Sequence, residues 1–384
     1  MNFLVVGAGL SGSVIARILA ERGNRVIVWD RRNHIGGNIY DYTDEHGILV
    51  QQYGPHTFHT KNRTLYQFMQ RFADWTPYFL KCGAVIQGQF TPTPFNFKTI
   101  DQFYPEEEAE ELKQHLAHYF GRKDTVTIFD VLGANDALIR EYGEFLFKHD
   151  YSIYTAKQWG ISPKDVDPSI LKRLPLRFSY EEGYFDDEYQ VVPTISYHQF
   201  FKTLLNHPNI EIRLNMDALK HLIVDTMDNC VLIDGQKIET LTVIYTGALD
   251  ELFALDNGSL PYKSLEFEWY YQDTDSFQPY PVVAYPLEKY TRITEYKKLP
   301  VQNVKGTTYA VEYSLPYDPA KKQEPYYPVL TEWSLKRAKV YKDRADRLNN
   351  FYYCGRLADF KYYNMDQALK RALQVANQIQ EQLQ

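Results

Sequence analysis

The first forty residues restrict this chain more than any other stretch. Phe3–Val6 is an apolar strand, Gly7-Ala8-Gly9-Leu10-Ser11-Gly12 follows, and a helix then carries Val14, Ile15, Ile18 and Leu19 on one face until Gly23. A second strand, Arg25–Trp29, ends at Asp30, and Ile35-Gly36-Gly37-Asn38 comes next. Each part has a task in a dinucleotide site. Gly7 allows a tight turn, Gly9 lets a pyrophosphate approach the backbone, and Gly12 lets the helix pack closely on the strand. The helix start offers unpaired N–H groups and a positive dipole end to phosphates. Asp30, 23 residues after Gly7, stands where a carboxylate accepts hydrogen bonds from ribose hydroxyls. A glycine pattern alone is weak, since a chance glycine-rich turn produces it. Strand, helix, second strand and terminal acid in sequence predict a dinucleotide-binding α/β unit.

With 384 residues the chain exceeds what one hydrophobic core usually serves, so two or three domains, or a discontinuous arrangement, are expected. A formal charge of −7 leaves no basic footprint, which argues against nucleic acid as a partner but leaves room for a small arginine cluster on an anionic ligand. Tyrosine is in excess at 32, against 5 methionines, and many tyrosines stand beside arginines and glycines, as ring-stacking surfaces require. The three cysteines, Cys82, Cys230 and Cys354, are far apart and show no metal spacing, so no metal is expected and a reducing compartment fits. The first strand begins at residue 2, and no apolar run is long enough to span a bilayer. The expectation is a cytoplasmic protein with no membrane partner.

After the first unit comes a loop, Tyr53-Gly54-Pro55-His56-Thr57-Phe58-His59-Thr60, placed to touch the cofactor. A helix is predicted over 65–72, and a hairpin over 84–90 turning at Gln87-Gly88. Residues 101–149 then turn helical. Asp101 is predicted to cap, Pro105 to open the first turn, and Leu112, Leu116, Tyr119 and Phe120 to face inward before Gly121; a second helix is predicted over 127–148. A helix near 197–205 precedes strands at 210–214, 230–233 and 242–245. The last of these ends at Thr246-Gly247, and Gly247 lies where open α/β sheets keep their ligands, so the chain is predicted to return here to the N-terminal sheet. From 262 to 314 the period falls to two, in Leu265, Phe267, Trp269 and Tyr271 and again in Tyr309, Val311 and Tyr313, which predicts a half-buried antiparallel sheet. A strand at 350–354, Gly355-Arg356, and a helix with Met365, Leu369, Ala372, Leu373, Ala376, Ile379 and Leu383 on one face close the chain.

There is no GxSxG, HExxH, Walker lysine loop or paired-cysteine motif. Arg177 and Arg292 stand out, each flanked by apolar residues in a segment poor in positive charge. A structural salt bridge is one reading of each; a diphosphate clamp is the other, because a guanidinium binds phosphate oxygens bidentately. Trp159 and the tyrosines near it suit either a core or an aromatic wall against a nucleobase or sugar.

The motifs GAGLSG, Asp30 with HIGGN, YGPHTFHT, YTAKQWG, LKRLPLRFSY with GYF, YTRITE, VEYS, EPYYP and GRLADFKYYNMDQ run the length of the chain, and in that order they resemble the bacterial UDP-galactopyranose mutases. The resemblance implies a mixed α/β fold: a discontinuous Rossmann-like FAD-binding domain (1–82, 208–258, 350–384), a helical domain (100–165), and an antiparallel sheet domain (83–99, 166–207, 259–349), assembled as a homodimer. It implies interconversion of UDP-galactopyranose and UDP-galactofuranose, the latter for cell-surface polysaccharide. The FAD must be reduced, by NAD(P)H or another reductant, although there is no net redox change. In the family mechanism flavin N5 attacks the anomeric carbon, UDP leaves, the adduct opens to an iminium, and the ring recloses before UDP returns.

Carried over by position, Arg177 and Arg292 hold the diphosphate and stabilise departing UDP, and His59 lies near the sugar. The cofactor residues so implied are Gly7, Gly9, Ser11, Gly12, Asp30, Arg31, Gly37, Asn38, His56, Gly247, Arg356 and Asp366. Tyr154, Trp159, Tyr184, Phe185, Tyr313 and Tyr362 fall on the substrate side, with Tyr151 assigned to the uridine. A lid is implied at about 160–175. Asn364 departs from the family by replacing an acid, Thr57 replaces a common aliphatic, and 148–153 is longer than in enterobacterial members. Two other readings remain open: a flavin oxidoreductase of the amine or protoporphyrinogen oxidase type, which shares both cofactor segments, and a non-catalytic flavin or nucleotide-sugar sensor, for which Asn364 speaks.

Overall fold

A computed structural model describes residues 2–121, 123–159, 174–238, 240–321 and 323–382. Asn2–Val6 is the central strand of a five-stranded parallel sheet in the order Ile210–Arg213, Arg25–Trp29, Asn2–Val6, Leu241–Tyr245, Phe351–Tyr353. Successive side chains alternate across a strand, and a parallel sheet is covered on both faces. Phe3, Val5, Val26, Val28 and Ile244 accordingly enter one core, while Leu4, Trp29, Val243, Tyr245 and Phe351 enter another. The first core is closed by the fingerprint helix Leu10–Glu21 and the last helix Met365–Glu381, through Val14, Ile15 and Leu19 against Leu369, Ala372, Val375 and Ile379. The chain therefore returns to the N-terminal sheet three times, with 210–213, 241–245 and 351–353.

The second body is a seven-stranded sheet ordered Tyr327–Pro328, Tyr262–Gln272, Thr307–Pro316, Arg292–Glu295, Val282–Ala284, Cys82–Ile86, Gln89–Thr93. It is antiparallel except where Val282–Ala284 runs parallel to Cys82–Ile86. Gln87 and Gly88, both at positive φ, make the turn between the last two strands. Phe267 and Trp269 alternate with exposed Glu266 and Glu268 as the period of two requires. Thr307–Pro316 is different: Tyr309 and Val311 pack on one face, while Ala310 joins Ile48, Val50 and Tyr296 on the other. Covering both faces buries Glu312 to 1% exposure. That change from the half-buried strand of the sequence reading matters for the site.

Helices Phe97–Phe103, Glu106–Phe120, Ile128–Leu132, Ala137–Leu146 and Ser152–Trp159 cover one end of this sheet. The helix predicted over 127–148 is split: Gly133 closes the first piece, and Asp136 caps the second by accepting from the Ile139 N–H. Asp101 is not a cap but an internal helix residue paired with Lys113, and Asn96 does the capping. Tyr189–Pro193 pairs with Phe58–Thr60 and Trp75–Pro77 in a separate three-stranded sheet, and helix Tyr197–Leu205 packs into the first core. The sequence reading had grouped both with the antiparallel sheet; their apolar face, Phe200, Phe201, Leu204 and Leu205, instead meets the dinucleotide unit. Among the described residues no helix is long and apolar enough to cross a membrane, and no group of three or more His, Cys, Asp or Glu is placed to hold a metal ion.

Candidate functional site

Two cavities adjoin at the carboxyl end of the parallel sheet. The first is lined by the glycine turn (Gly7, Gly9, Ser11, Gly12), Asp30, Arg31, Gly37, Asn38, Gly247 and Gly355 among others. Its glycines are demanded by space. A Cβ on Gly12 would lie 2.0 Å from the Gly7 carbonyl oxygen, and one on Gly37 would lie 2.9 Å from Gly9 Cα. No side chain caps the fingerprint helix, and no acid sits in its first turn, so its N–H groups are left for an anionic ligand. Asp30 is 8% exposed and accepts from the backbone N–H of Ala8 (2.7 Å) and of Arg32 (2.9 Å). It thus pins the turn, and its remaining lone pairs stay available to a ribose. Arg31 and Arg32 share the carboxylate of Glu324 at 2.5 and 2.8 Å, and Asn38 accepts from Arg32. A dinucleotide fits this set: backbone donors for phosphates, bare glycine backbone for close approach, and a carboxylate at the strand end.

The second cavity shares His56, Arg356, Asn364 and Met365 with the first, so a group bound in one faces a group bound in the other. Its floor is sheet. Val282 and Ala284 lie beside Cys82 and Ala84, and Ala284 lies opposite Arg292, which puts small side chains and one guanidinium together. Arg292 also pairs in register with Glu312, donating to its Oε2 from Nε and Nη2 at 2.8 Å each. Glu312 is buried whereas 22% of the Arg292 side chain is exposed, so the guanidinium is held from behind and open in front. Burial opposes its charge, but Glu312, together with the phenols of Tyr154 and Tyr327, carries the guanidinium pKa well above its ordinary value. The cation is permanent, as a diphosphate ligand requires.

His59 lies in the cavity wall, stacked on Phe185 at 3.6 Å, with its Nδ1 2.6 Å from Asp187 Oδ2. His56 is pushed down to about 4, first by burial and then by Arg356 and Arg292. A neutral ring whose Nδ1 is 2.8 Å from the Gly54 carbonyl must donate there, which turns the Nε2 lone pair elsewhere. Arg356 donates to the Tyr363 carbonyl at 2.7 Å and lies over the rings of Tyr327 and Tyr362, themselves stacked 5.5 Å apart. Cys82 is the one thiol in the wall, and burial raises it to about 12, so it stays protonated and is no nucleophile at neutral pH.

Several assigned residues lie elsewhere. Arg177 is buried at 6% exposure outside the second cavity's wall, donating from Nη2 to Asp186 at 2.6 Å, with its buried Nε bonded to none of the described residues. Tyr151 is 3% exposed in the helical core, edge-on to Phe95 and donating to the Leu174 carbonyl, so it does not meet the cavity. Tyr313 faces away, donating to Glu268 at the sheet surface. Tyr327, in the EPYYP motif and with no role implied by the resemblance, is a further aromatic of the wall. Asp366 lines neither cavity; it accepts from Thr60 and from the Gln367 N–H. Its neighbours Asn364 and Met365 take that place, because the first turn of a helix points successive residues about 100° apart. Tyr154, Tyr184, Phe185 and Tyr362 do line the second cavity. The side chain of Trp159, and the lid expected at 160–175 as far as residue 173, lie outside the described residues.

One wall residue had no signal in the sequence reading. Asp150, on a π-helical turn spanning Phe147–Tyr151, is 4% exposed and lines the second cavity. Burial raises its carboxyl to about 7, against the pull of Lys157. A carboxyl whose folded value exceeds its unfolded one costs stability as pH rises through that window. Asp150→Asn is therefore expected to stabilise the protein by roughly 2–4 kcal/mol at pH 8 and by clearly less at pH 5. Urea denaturation at the two pH values checks this, and an equal gain at both contradicts it.

Comparisons with known proteins bear on the family and the fold. A family model described as UDP-galactopyranose mutase matches residues 150–362, and one described as NAD(P)-binding Rossmann-like domain matches residues 5–72. The chain is 36% identical to a dTDP-fucopyranose mutase of Escherichia coli over 97% of each chain. It is 33% identical to a probable UDP-galactopyranose mutase of Klebsiella pneumoniae, over 98% of this chain and 94% of that one. Its fold is similar to that of a reduced UDP-galactopyranose mutase, with a TM-score of 0.73 at 14% identity, covering 99% of this chain and 95% of that one. It is also similar to a putative protoporphyrinogen oxidase from Exiguobacterium, with a TM-score of 0.63 at 12% identity over 99% of each chain.

Proposed function

The chain belongs to the UDP-galactopyranose mutase family, and from that premise we propose that it interconverts UDP-galactopyranose and UDP-galactofuranose with reduced FAD. The observation that carries this reading is the junction of the two cavities at His56, Arg356, Asn364 and Met365. The glycine turn and Asp30 would hold a dinucleotide in the first cavity, and the adjoining second cavity has a floor with a permanent cation and no ionised thiol. Bound there, reduced FAD would supply a nucleophile for the anomeric carbon with no net redox change.

The residues of this chain do the rest. Arg292, braced by Glu312, holds the diphosphate and stabilises the charge that grows as UDP departs. His59, fixed by Asp187 and the Phe185 ring, presents Nε2 to the sugar. Arg356 and the paired rings of Tyr327 and Tyr362 close the junction. Asn364 keeps a helix-capping amide where the family has an acid and contributes no charge there. Arg177, now on Asp186, is a second clamp if it exchanges that partner for phosphate. We assign the protein to the cytoplasm as a homodimer, its flavin reduced by NAD(P)H.

A second reading, a dTDP-linked 6-deoxysugar in place of the UDP-hexose, is favoured by the identity to the dTDP-fucopyranose mutase. Product analysis by HPLC decides. Dithionite-reduced protein with UDP-galactofuranose is expected to yield UDP-galactopyranose, and oxidised protein to yield none. Equal turnover by oxidised protein, or peroxide release with an amine and no response to UDP, would overturn the mutase reading. Turnover confined to dTDP-fucofuranose would move the specificity to the second.

A further inference from the structure

We infer that Asp150 reads the pyrimidine base of the substrate by accepting its imide N3–H, and so helps set the nucleotide preference of the second cavity. The inference rests on the nucleotide-sugar reading above. A buried carboxyl is normally satisfied by donors, yet among the described residues none bonds to that of Asp150, which is 4% exposed in a cavity wall. Lys157, the cation that acts on it, is committed elsewhere: its Nζ donates to the carbonyls of Tyr285 and Tyr290 at 2.5 and 2.9 Å. The phenols of Tyr154 and Tyr184 share the wall with it. The turn that carries Asp150 is held rigid. Tyr151 beside it is locked by its hydrogen bond to Leu174 and its packing on Phe95, and π turns recur at functional sites because the extra residue redirects a side chain.

The linear order of a nucleotide sugar then says which part of the ligand reaches Asp150. The reacting sugar belongs at the junction with the cofactor cavity, beside His56, Arg356 and Asn364. The diphosphate belongs on Arg292. The nucleoside is left for the remaining wall, where Asp150 stands with Tyr154 and Leu174. An acceptor with no donor among the described residues calls for one from the ligand, and N3–H is the ring donor of uracil and thymine alike, so the reading serves a UDP- or dTDP-linked sugar equally. A site built around one such bond discriminates strongly against a ligand lacking the donor, because its own buried group is then left unpaired.

Calorimetric titration of the FAD-loaded protein with UDP, N3-methyl-UDP and 2′-deoxy-UDP tests this, using wild type, Asp150→Ala and Asp150→Asn. Wild type is expected to bind UDP at least about thirtyfold more tightly than N3-methyl-UDP. Asp150→Ala should shrink that ratio below about threefold, while Asp150→Asn, whose amide oxygen still accepts, retains about tenfold. Equal wild-type affinity for UDP and N3-methyl-UDP overturns the inference, as does an unchanged ratio in Asp150→Ala. If Asp150→Ala instead abolishes a preference for UDP over 2′-deoxy-UDP, the carboxyl reads the ribose and the assignment to the base is wrong. Failure of wild type to bind either UDP or dTDP would remove the nucleotide-sugar reading itself, a result distinct from each of these.

Discussion

Arg292→Ala is expected to lower kcat/KM by about a thousandfold or more while FAD stays bound, since the guanidinium meets charge that develops only as UDP leaves. Its position follows from strand register. Arg292 stands opposite both Ala284 and Glu312, with small residues in front and a carboxylate at its side. The same pairing complicates the variant, because the truncation leaves Glu312, 1% exposed, as a buried charge with no cation. Breaking one half of such a pair costs about 3–5 kcal/mol. The double variant Arg292→Ala/Glu312→Gln separates the two effects: it should recover most of the stability and none of the turnover. Steady-state kinetics with flavin absorbance and a melting curve give all three quantities, and wild-type kcat/KM in either variant would remove Arg292 from the clamp.

Gly12→Ala is expected to yield protein without bound FAD and with a much lower melting temperature. The added methyl would lie 2.0 Å from the Gly7 carbonyl oxygen and 3.1 Å from Val5 Cγ1, so the helix must move off the strand. Neither neighbour is a flexible chain end; one is the backbone of the turn that receives the phosphates. Moving the helix also shifts the Leu369–Ile379 face of the last helix against it. Gly23→Ala is the proper control. Unlike Gly12 it has positive φ, so a side chain there costs about 1 kcal/mol, but its Cβ meets nothing within 4 Å and the variant should keep its flavin. The ratio of absorbance at 450 and 280 nm reads the outcome. A fully loaded Gly12→Ala protein would show that close packing at this turn is not required for cofactor binding.

How much of this was legible beforehand depended on how local each cause is. The βαβ order, the glycine turn and the Gln87-Gly88 hairpin follow from neighbours in sequence and from the conformational freedom of glycine. Arg292 was marked by its apolar flanks alone, though nothing in them says that Glu312 would brace it. Tyr151 and Tyr313 were assigned to the ligand and instead face a core and a surface glutamate, while Tyr327, in a quoted motif, occupies the wall. Asp366 was displaced by Asn364 and Met365 for a similar reason: a one-residue step along a helix start turns a side chain from cavity to scaffold. Resemblance transfers a segment well and the orientation of a single residue poorly.

Asp150 marks the limit most clearly. An acid between a histidine and a tyrosine at the end of a helical stretch carries no signal, and only a π turn seen in three dimensions places it in the wall. The sequence by itself determined the dinucleotide unit, the family and the presence of isolated arginines, because periodicity, glycine spacing and motif order are properties of the chain alone. The tertiary structure decided which cation is braced, which carboxyl is buried with no donor among the described residues, and which four residues join the two cavities. Those depend on register and packing between segments up to some three hundred residues apart, where no local pattern reaches.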